Sequence, residues 1–404
     1  MTNEVLQKIA SDEQNISSSN GLEPKLRFKE FDGKWSRNIL GNCCDIIMGQ
    51  SPDSSSYNNN CIGLPLVQGN ADMCERIATP QRYTSQPTKI CEAGSIILSV
   101  RAPVGTVGKT FQKICLGRGV CGITSKNIEF MYQYLLNNEN SWRHIEQGGT
   151  FTAINSDDIK SFPIILPSLP EQKKIADFLS LIDQRIEKQR QLVENLKKYK
   201  RGLFFEIFEQ KRRFKDGNNK FYPKWEKKSL GTIFKERTER AIGNEELLSV
   251  TINSGVKKRC EVDVKDNSSD DKSKYKKLYP NDIAYNTMRM WQGASGVSLY
   301  EGIVSPAYTV ITTIIPVKIG FFGYYFKYIK TIQIFQKFSQ GLTSDTWNLK
   351  YPQLSEIQLL IPNIEEQEKI YETFKFLDDK ILLSENTLNL LQDIKKGLLQ
   401  KMFI

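Results

Sequence analysis

One histidine, His144, serves a chain of 404 residues. General-base triads and histidine-rich metal sites are therefore excluded as its organising chemistry, and His144 is expected to be a structural or surface residue. Eight cysteines stand at positions 43, 44, 61, 74, 91, 115, 121 and 260, with no CxxC spacing among them. A zinc site needs clustered thiolates or imidazoles, so these thiols are expected to be reduced and mostly buried, with no metal. Long apolar runs are also missing. The most apolar stretch, Ile303–Phe326, is broken by Pro306, Pro316, Lys318 and Gly320; it cannot serve as a membrane span and predicts a pair of buried strands. The first twenty residues are polar, which predicts a disordered tail rather than a secretory leader. A cytoplasmic protein without membrane contact is expected.

Catalytic motifs are absent too. Gly108-Lys109-Thr110 ends like a phosphate loop, but the first glycine that such a loop requires is replaced by Pro103. No GxGxxG opens a helix. No Asn/Asp-Pro-Pro-Tyr or Phe-x-Gly-x-Gly element supports methyl transfer by this chain. Nothing marks a stand-alone enzyme, and no cofactor is expected.

What the chain does have is a duplication. Leu166–Phe208 and Ile361–Phe403 align without a gap at an offset of 195 residues. Identical pairs include Pro167/Pro362, Glu171/Glu366, Gln172/Gln367, Ile175/Ile370, Asp183/Asp378, Lys200/Lys395 and Gly202/Gly397. A period this long is not a solenoid repeat; it describes one unit written twice.

Each copy predicts a long helix. Proline and acidic residues lead in, as suits a helix N-terminus. Apolar residues then step by three and four: Ile175, Leu179, Ile182, Ile186, Val193, Leu196, Leu203 and Ile207, against Ile370, Phe374, Leu377, Ile381, Leu388, Leu391, Leu398 and Met402. That is a coiled-coil seam of about five heptads. Polar residues interrupt both seams at matching places, first Gln189 and Ser384, then Lys200 and Lys395. Gln189 and Ser384 lie near the helix midpoints and would fix register. They would meet in parallel or antiparallel packing alike. Topology favours antiparallel, because each helix is paired with its own globular segment.

The globular segments also begin alike: Trp35, Leu40 and Gly41 match Trp225, Leu230 and Gly231. Short apolar runs punctuated by glycine and proline (Ser95–Val100, Val104–Val107, Ile283–Asn286, Gly296–Leu299, Tyr308–Ile315) predict strands. The fold class expected is therefore α+β: two β-rich globular domains joined by two long antiparallel coiled-coil helices, with a pseudo-two-fold internal repeat. A net charge of +10 is compatible with a polyanionic partner without requiring one. The basic stretch Lys211–Lys228 could rest near a phosphate backbone or serve as a solvated tether.

Together these residues resemble the specificity subunit of type I restriction–modification systems. The resemblance rests on Pro167…Glu171-Gln172…Ile175 and Pro362…Glu366-Gln367…Ile370. It rests also on Pro24–Phe28 with Trp35, on the run Ala93–Gly105, and on Gly302–Tyr308. It covers nearly all of residues 24–403. The resemblance implies a tail (1–23), a first target recognition domain (24–165), a central spacer helix (166–210), a basic linker (211–221), a second target recognition domain (222–360) and a C-terminal spacer helix (361–404). Each domain would read one half of a bipartite double-stranded DNA site. The helices would set the spacer and dock two methyltransferase (modification) subunits, with restriction/translocase subunits joining. Catalysis would belong to those partners.

Base readers should be cationic, amide, hydroxyl or aromatic side chains on loops. Candidates in the first domain are Ser54, Ser55, Ser56, Tyr57, Asn58, Arg76, Arg82 and Arg101; in the second they are Lys257, Lys258, Arg259, Arg289, Trp291, Gln292 and Ser344. Two other classes fit the composition: a stand-alone architectural DNA-binding protein, and a coiled-coil protein scaffold that does not bind DNA.

Overall fold

The computed structural model describes residues 23–146, 153–243, 245–252, 254–262, 271–343 and 345–404, without the side chains of residues 143–146. The polar tail, His144's side chain and the candidate Ser344 lie outside the described residues. Two long helices, Leu169–Phe208 and Ile364–Met402, carry the two copies of the repeat. Contacts divide the chain into two units, Met1–Arg190 with Asn386–Ile404, and Gln191–Glu385. Both cuts fall in mid-helix, so each helix serves both units.

In the first unit the start of the central helix packs on the end of the C-terminal helix. Ile175, Ala176 and Leu179 share a core with Met402 and Phe403. In the second unit the end of the central helix, through Leu203, Ile207 and Phe208, packs with Ile370, Phe374 and Leu377 at the start of the C-terminal helix. The pair is antiparallel. Seam residues Ile175, Leu179, Ile186, Val193, Leu203, Ile207, Ile370, Phe374, Leu377, Ile381 and Met402 are buried.

The duplicated polar residues tie each unit together. Asp183 accepts from Lys395 Nζ at 2.6 Å and from Gln133 Nε2 at 2.7 Å. Asp378 accepts from Lys200 Nζ, and from the Tyr324 hydroxyl at 2.6 Å. Each aspartate thus joins its own helix, the opposite helix and a short helix of the globular part (Ile128–Asn137 or Ile319–Tyr325).

Glu171 and Glu366, in the first helical turns, are buried. Arg27 grips Glu171 through Nε and Nη2 at 2.8 Å each. Arg213 grips Glu366 at 2.8 and 2.7 Å, and Trp225 Nε1 adds a third bond at 3.0 Å. The neighbouring Gln172 and Gln367 amides donate to the carbonyls of Pro167 and Pro362 at 3.0 and 2.8 Å. The Pro-x-x-x-Glu-Gln pattern is therefore a helix-start lock: the carboxylate sits at the positive end of the helix dipole with a fork-shaped cation against it. In the second unit the arginine follows the central helix along the chain. In the first it precedes Trp35, and Leu26 N donates to Lys401 O at 2.8 Å to hold it beside the end of the C-terminal helix.

The globular parts share a plan. In the first, strands run in the order Cys44–Met48, Val120–Ser125, Ile96–Ser99, Val107–Lys109, extended by Ile77–Ala78 and Met73–Cys74. In the second, Phe234–Glu236, Tyr308–Thr313, Ile283–Asn286 and Ser295–Val297 stand in the same order. Ser36–Ile39 pairs with Pro163–Leu166, and Glu226–Ser229 pairs with Gln358–Ile361. The matching Gly41 and Gly231 sit where a Cβ would fall 2.9 Å from Lys160 Cβ and 2.9 Å from Ser355 Cβ. The Leu-Gly pair is thus a close-approach requirement.

Three expectations need correction. Ile303–Phe326 supplies strands Gly302–Val304 and Tyr308–Thr313, but its end, Ile319–Tyr325, is helical. Phe321, Phe322, Tyr325 and Phe326 stand at helical spacing and are buried, so tertiary packing outweighs their β preference. The basic stretch after the central helix is no loose tether, since Arg213 is held by Glu366 and Arg212 by Glu206. The thiols are less uniformly buried than expected: Cys61, Cys74 and Cys260 are exposed, Cys43 is partly so, and Cys44, Cys91, Cys115 and Cys121 are buried. Burial pushes the Cys44 and Cys121 thiols up to about 12, which keeps them protonated.

Candidate nucleic-acid interface

Corresponding strands in the two sheets are joined by corresponding hairpin loops. In the first unit, Ile96–Ser99 and Val107–Lys109 pair antiparallel, and the loop between them carries Arg101. In the second, Ile283–Asn286 and Ser295–Val297 pair antiparallel around Arg289. Both arginines are exposed, and neither has an ion-pair partner among the described residues. Each loop is braced by the segment preceding the unit's last strand. Arg101 bridges to Ala153, and Leu349 N donates to Thr287 O at 2.9 Å.

Local structure fixes the second loop. Gly293 takes φ of +79° to close the turn Met290–Gln292. Lys327 Nζ donates to Gly293 O, and to Ile252 O at 2.7 Å, from a half-buried position. Trp291 Nε1 donates to Met288 O at 3.0 Å, and its ring meets Trp347 edge-on at 5.1 Å between centroids. Trp347, absent from the sequence candidates, thereby joins the loop to the Gln340–Asn348 turn.

In the first unit the Arg101 loop borders a recess of about 600 Å³ shared with Gln68, Asn70 and Arg118. Arg118 was also missed by sequence. It is exposed and likewise without an ion-pair partner among the described residues. It reaches this place because Leu64–Val67 and Ile114–Leu116 pair in parallel.

The model of the type I restriction modification DNA specificity domain matches residues 33–198 and again 222–393. The chain belongs to that family. A protein of Methanocaldococcus jannaschii named as the specificity subunit of a type I restriction enzyme, MjaX, is 39% identical over 185 residues, which make up 44% of this chain and 44% of that one. The chain thus spans under half the length of that relative. The type I restriction enzyme MjaIX specificity subunit of the same organism is 26% identical over 365 residues, 81% of each. The crystal structure of the S subunit of the type I restriction–modification system from M. genitalium matches with a TM-score of 0.60 at 17% identity, over 95% of this chain and 99% of that one. At that identity the likeness is one of fold.

For a DNA specificity protein, a side chain already used by its own fold has little left for a base. Ser56 is buried, its hydroxyl 2.8 Å from Thr84 Oγ1 and 2.7 Å from Asp53 O. Asn58 closes its own loop, Oδ1 accepting from Asn60 N and Ile62 N. The Tyr57 hydroxyl donates to Pro52 O and accepts from Gln68. Arg76 is clamped by Glu139, with Nη2 at 3.0 Å from Oε2. Lys258 lies 3.4 Å from Glu246. Arg259 is half-buried, and its backbone N–H donates to Leu247 O at 2.9 Å. Ser55 is held by the Asp53 carboxylate, which accepts from its backbone N–H at 2.9 Å and from its hydroxyl. Those with polar ends unclaimed by an acid among the described residues are Ser54, Arg82, Arg101, Lys257, Arg289 and Gln292. The candidate register residues Gln189 and Ser384 fall at the junction between units, Gln189 half-buried and Ser384 buried. No helix among the described residues is long and apolar enough to cross a membrane.

Proposed function

We propose that this chain is the non-catalytic DNA-reading subunit of a type I restriction–modification complex. Each unit contacts one half of a bipartite double-stranded target, and the helix pair sets the gap between halves. One observation carries this reading: an exposed, acid-free arginine, Arg101 or Arg289, recurs on the same hairpin of the same sheet in both units. Duplicated contact points suit two half-sites, and the loops around them differ, so the half-sites can differ in sequence.

Two modification subunits dock on the helices, with restriction/translocase subunits joining in the cytoplasm, where the DNA is. The docking face is supported by large apolar side chains left exposed beside the seam. On the C-terminal helix Phe376, Leu383 and Leu390 recur every seven residues, and on the central helix Leu181, Leu192 and Tyr199 are exposed at spacings of eleven and seven. A heptad stripe separate from a buried seam suits further helices. Sequencing methylated DNA from a strain with and without the chain tests the assignment. A bipartite methylated motif that disappears with the chain is expected; an unchanged methylome refutes it.

A further inference from the structure

Building on this reading, we infer that Arg118 is a specificity-determining residue that reads guanine in one half-site, with Arg101 beside it. Arg118 stands between Gly117 and Gly119 on a platform with no slack. A Cβ on Gly119 would fall 2.2 Å from Gln68 O, one on Gly117 2.9 Å from Gln68 Cα, and one on Gly49 2.0 Å from Gly117 O. Three loops are therefore in backbone contact. Gly117 N donates to Val67 O at 2.7 Å, Val100 N to Gly119 O at 2.9 Å, and Arg118 N to Ser51 Oγ at 3.2 Å. The backbone is spent on the platform while the guanidinium is exposed at the recess that Arg101 also lines. Such a placement pre-organises the side chain, which lowers the ordering cost of contact.

The chemistry of the recess selects the base. Both arginines only donate. The one acid at the rim, Asp72, has an oxygen turned to Gln68 N at 2.7 Å. In the major groove guanine offers two adjacent acceptors, O6 and N7, whereas adenine sets its N6 donor beside N7. A donor-only pair therefore favours guanine and is repelled by adenine. In the second unit the matching turn, between strands Gly302–Val304 and Tyr308–Thr313, reads Ser305-Pro306-Ala307 and carries no arginine, so the preference belongs to one half-site.

The test uses the full chain and a pool of duplexes of random sequence, with sequencing of the bound fraction. Arg118→Ala is expected to lose about tenfold preference for guanine at one position of one half-site, with the other half-site unchanged. Arg118→Lys keeps the charge and the fold but lacks the fork, and is expected to recover only part of the preference. Uniform weakening across all sequences with a shallower salt dependence would make Arg118 a phosphate contact and overturn the inference. So would an unchanged motif. If the unaltered chain enriches no bipartite motif, the parent proposal fails and this one with it.

Discussion

Glu366 receives Arg213 and Trp225 together at a buried helix start, whereas the matching Glu171 receives Arg27 alone among these groups, because Trp35 Nε1 finds no partner among the described residues. Removing Glu366 leaves a half-buried cation without its counter-ion and a buried indole N–H unmatched, while removing Glu171 takes the counter-ion from Arg27 alone. Glu366→Ala should cost about 3–5 kcal/mol, and Glu171→Ala about 1–2 kcal/mol less. Urea unfolding of the two variants checks the order; equal losses would show that the tryptophan bond contributes nothing. At the hairpin loop, Arg289→Ala should relax one base position of one half-site, read by sequencing methylated sites, whereas loss at all sites alike would place Arg289 on phosphate. The loop residues were legible in sequence by type, as arginine, tryptophan and amide in turn-rich segments, but not by availability. Arg76 and Asn58 look the same in sequence as Arg101 and Ser54, and only the fold shows which are already bonded. Arg118 could not be placed beforehand, because its neighbours come from segments around positions 50, 68 and 101 that a parallel strand pair brings together.

The long helices were the most legible elements, since both seams and both acidic starts repeat. Their direction was less so. The midpoint residues Gln189 and Ser384 are compatible with either direction. The deciding pairs are Lys395–Asp183 and Lys200–Asp378. An in-register parallel pair would set Lys200 against Lys395 and Asp183 against Asp378, so like charges disfavour the wrong orientation. Lys395 is about half as exposed as its partner, at 15% against 36%, and its burial pulls its pKa below the usual lysine range. Lys395→Glu should therefore destabilise the chain by about 1–3 kcal/mol, and adding Asp183→Lys should restore most of the loss. A thermal-unfolding double-mutant cycle measures this. Additive losses would mean that the pair does not couple and that burial of the seam alone sets direction. The short helix Ile319–Tyr325 illustrates the opposite case. Its aromatic and glycine content predicts strand, and only the core it fills, with Phe321 and Phe322 fully buried, makes it helical.

Between the two copies of the repeat the helices match without a gap while the loops differ, so under the proposed function length and sequence of the target should be separable. A four-residue insertion after Gln189 adds about 6 Å of helix at 1.5 Å per residue. That is about two base pairs at 3.4 Å each. Insertion in one helix alone also shifts one seam against the other and breaks one of the Lys–Asp ties. The cleaner version therefore inserts four residues after both Gln189 and Ser384, which moves both seams together and keeps Lys395–Asp183 and Lys200–Asp378 each within its own unit. Methylated-site mapping with the doubly extended chain should show both half-site sequences intact and the gap between them altered. The single insertion should give the same gap change with lower thermal stability. If the half-sites change while the gap does not, the helices do not measure the distance, and the spacing must come from the partner subunits instead.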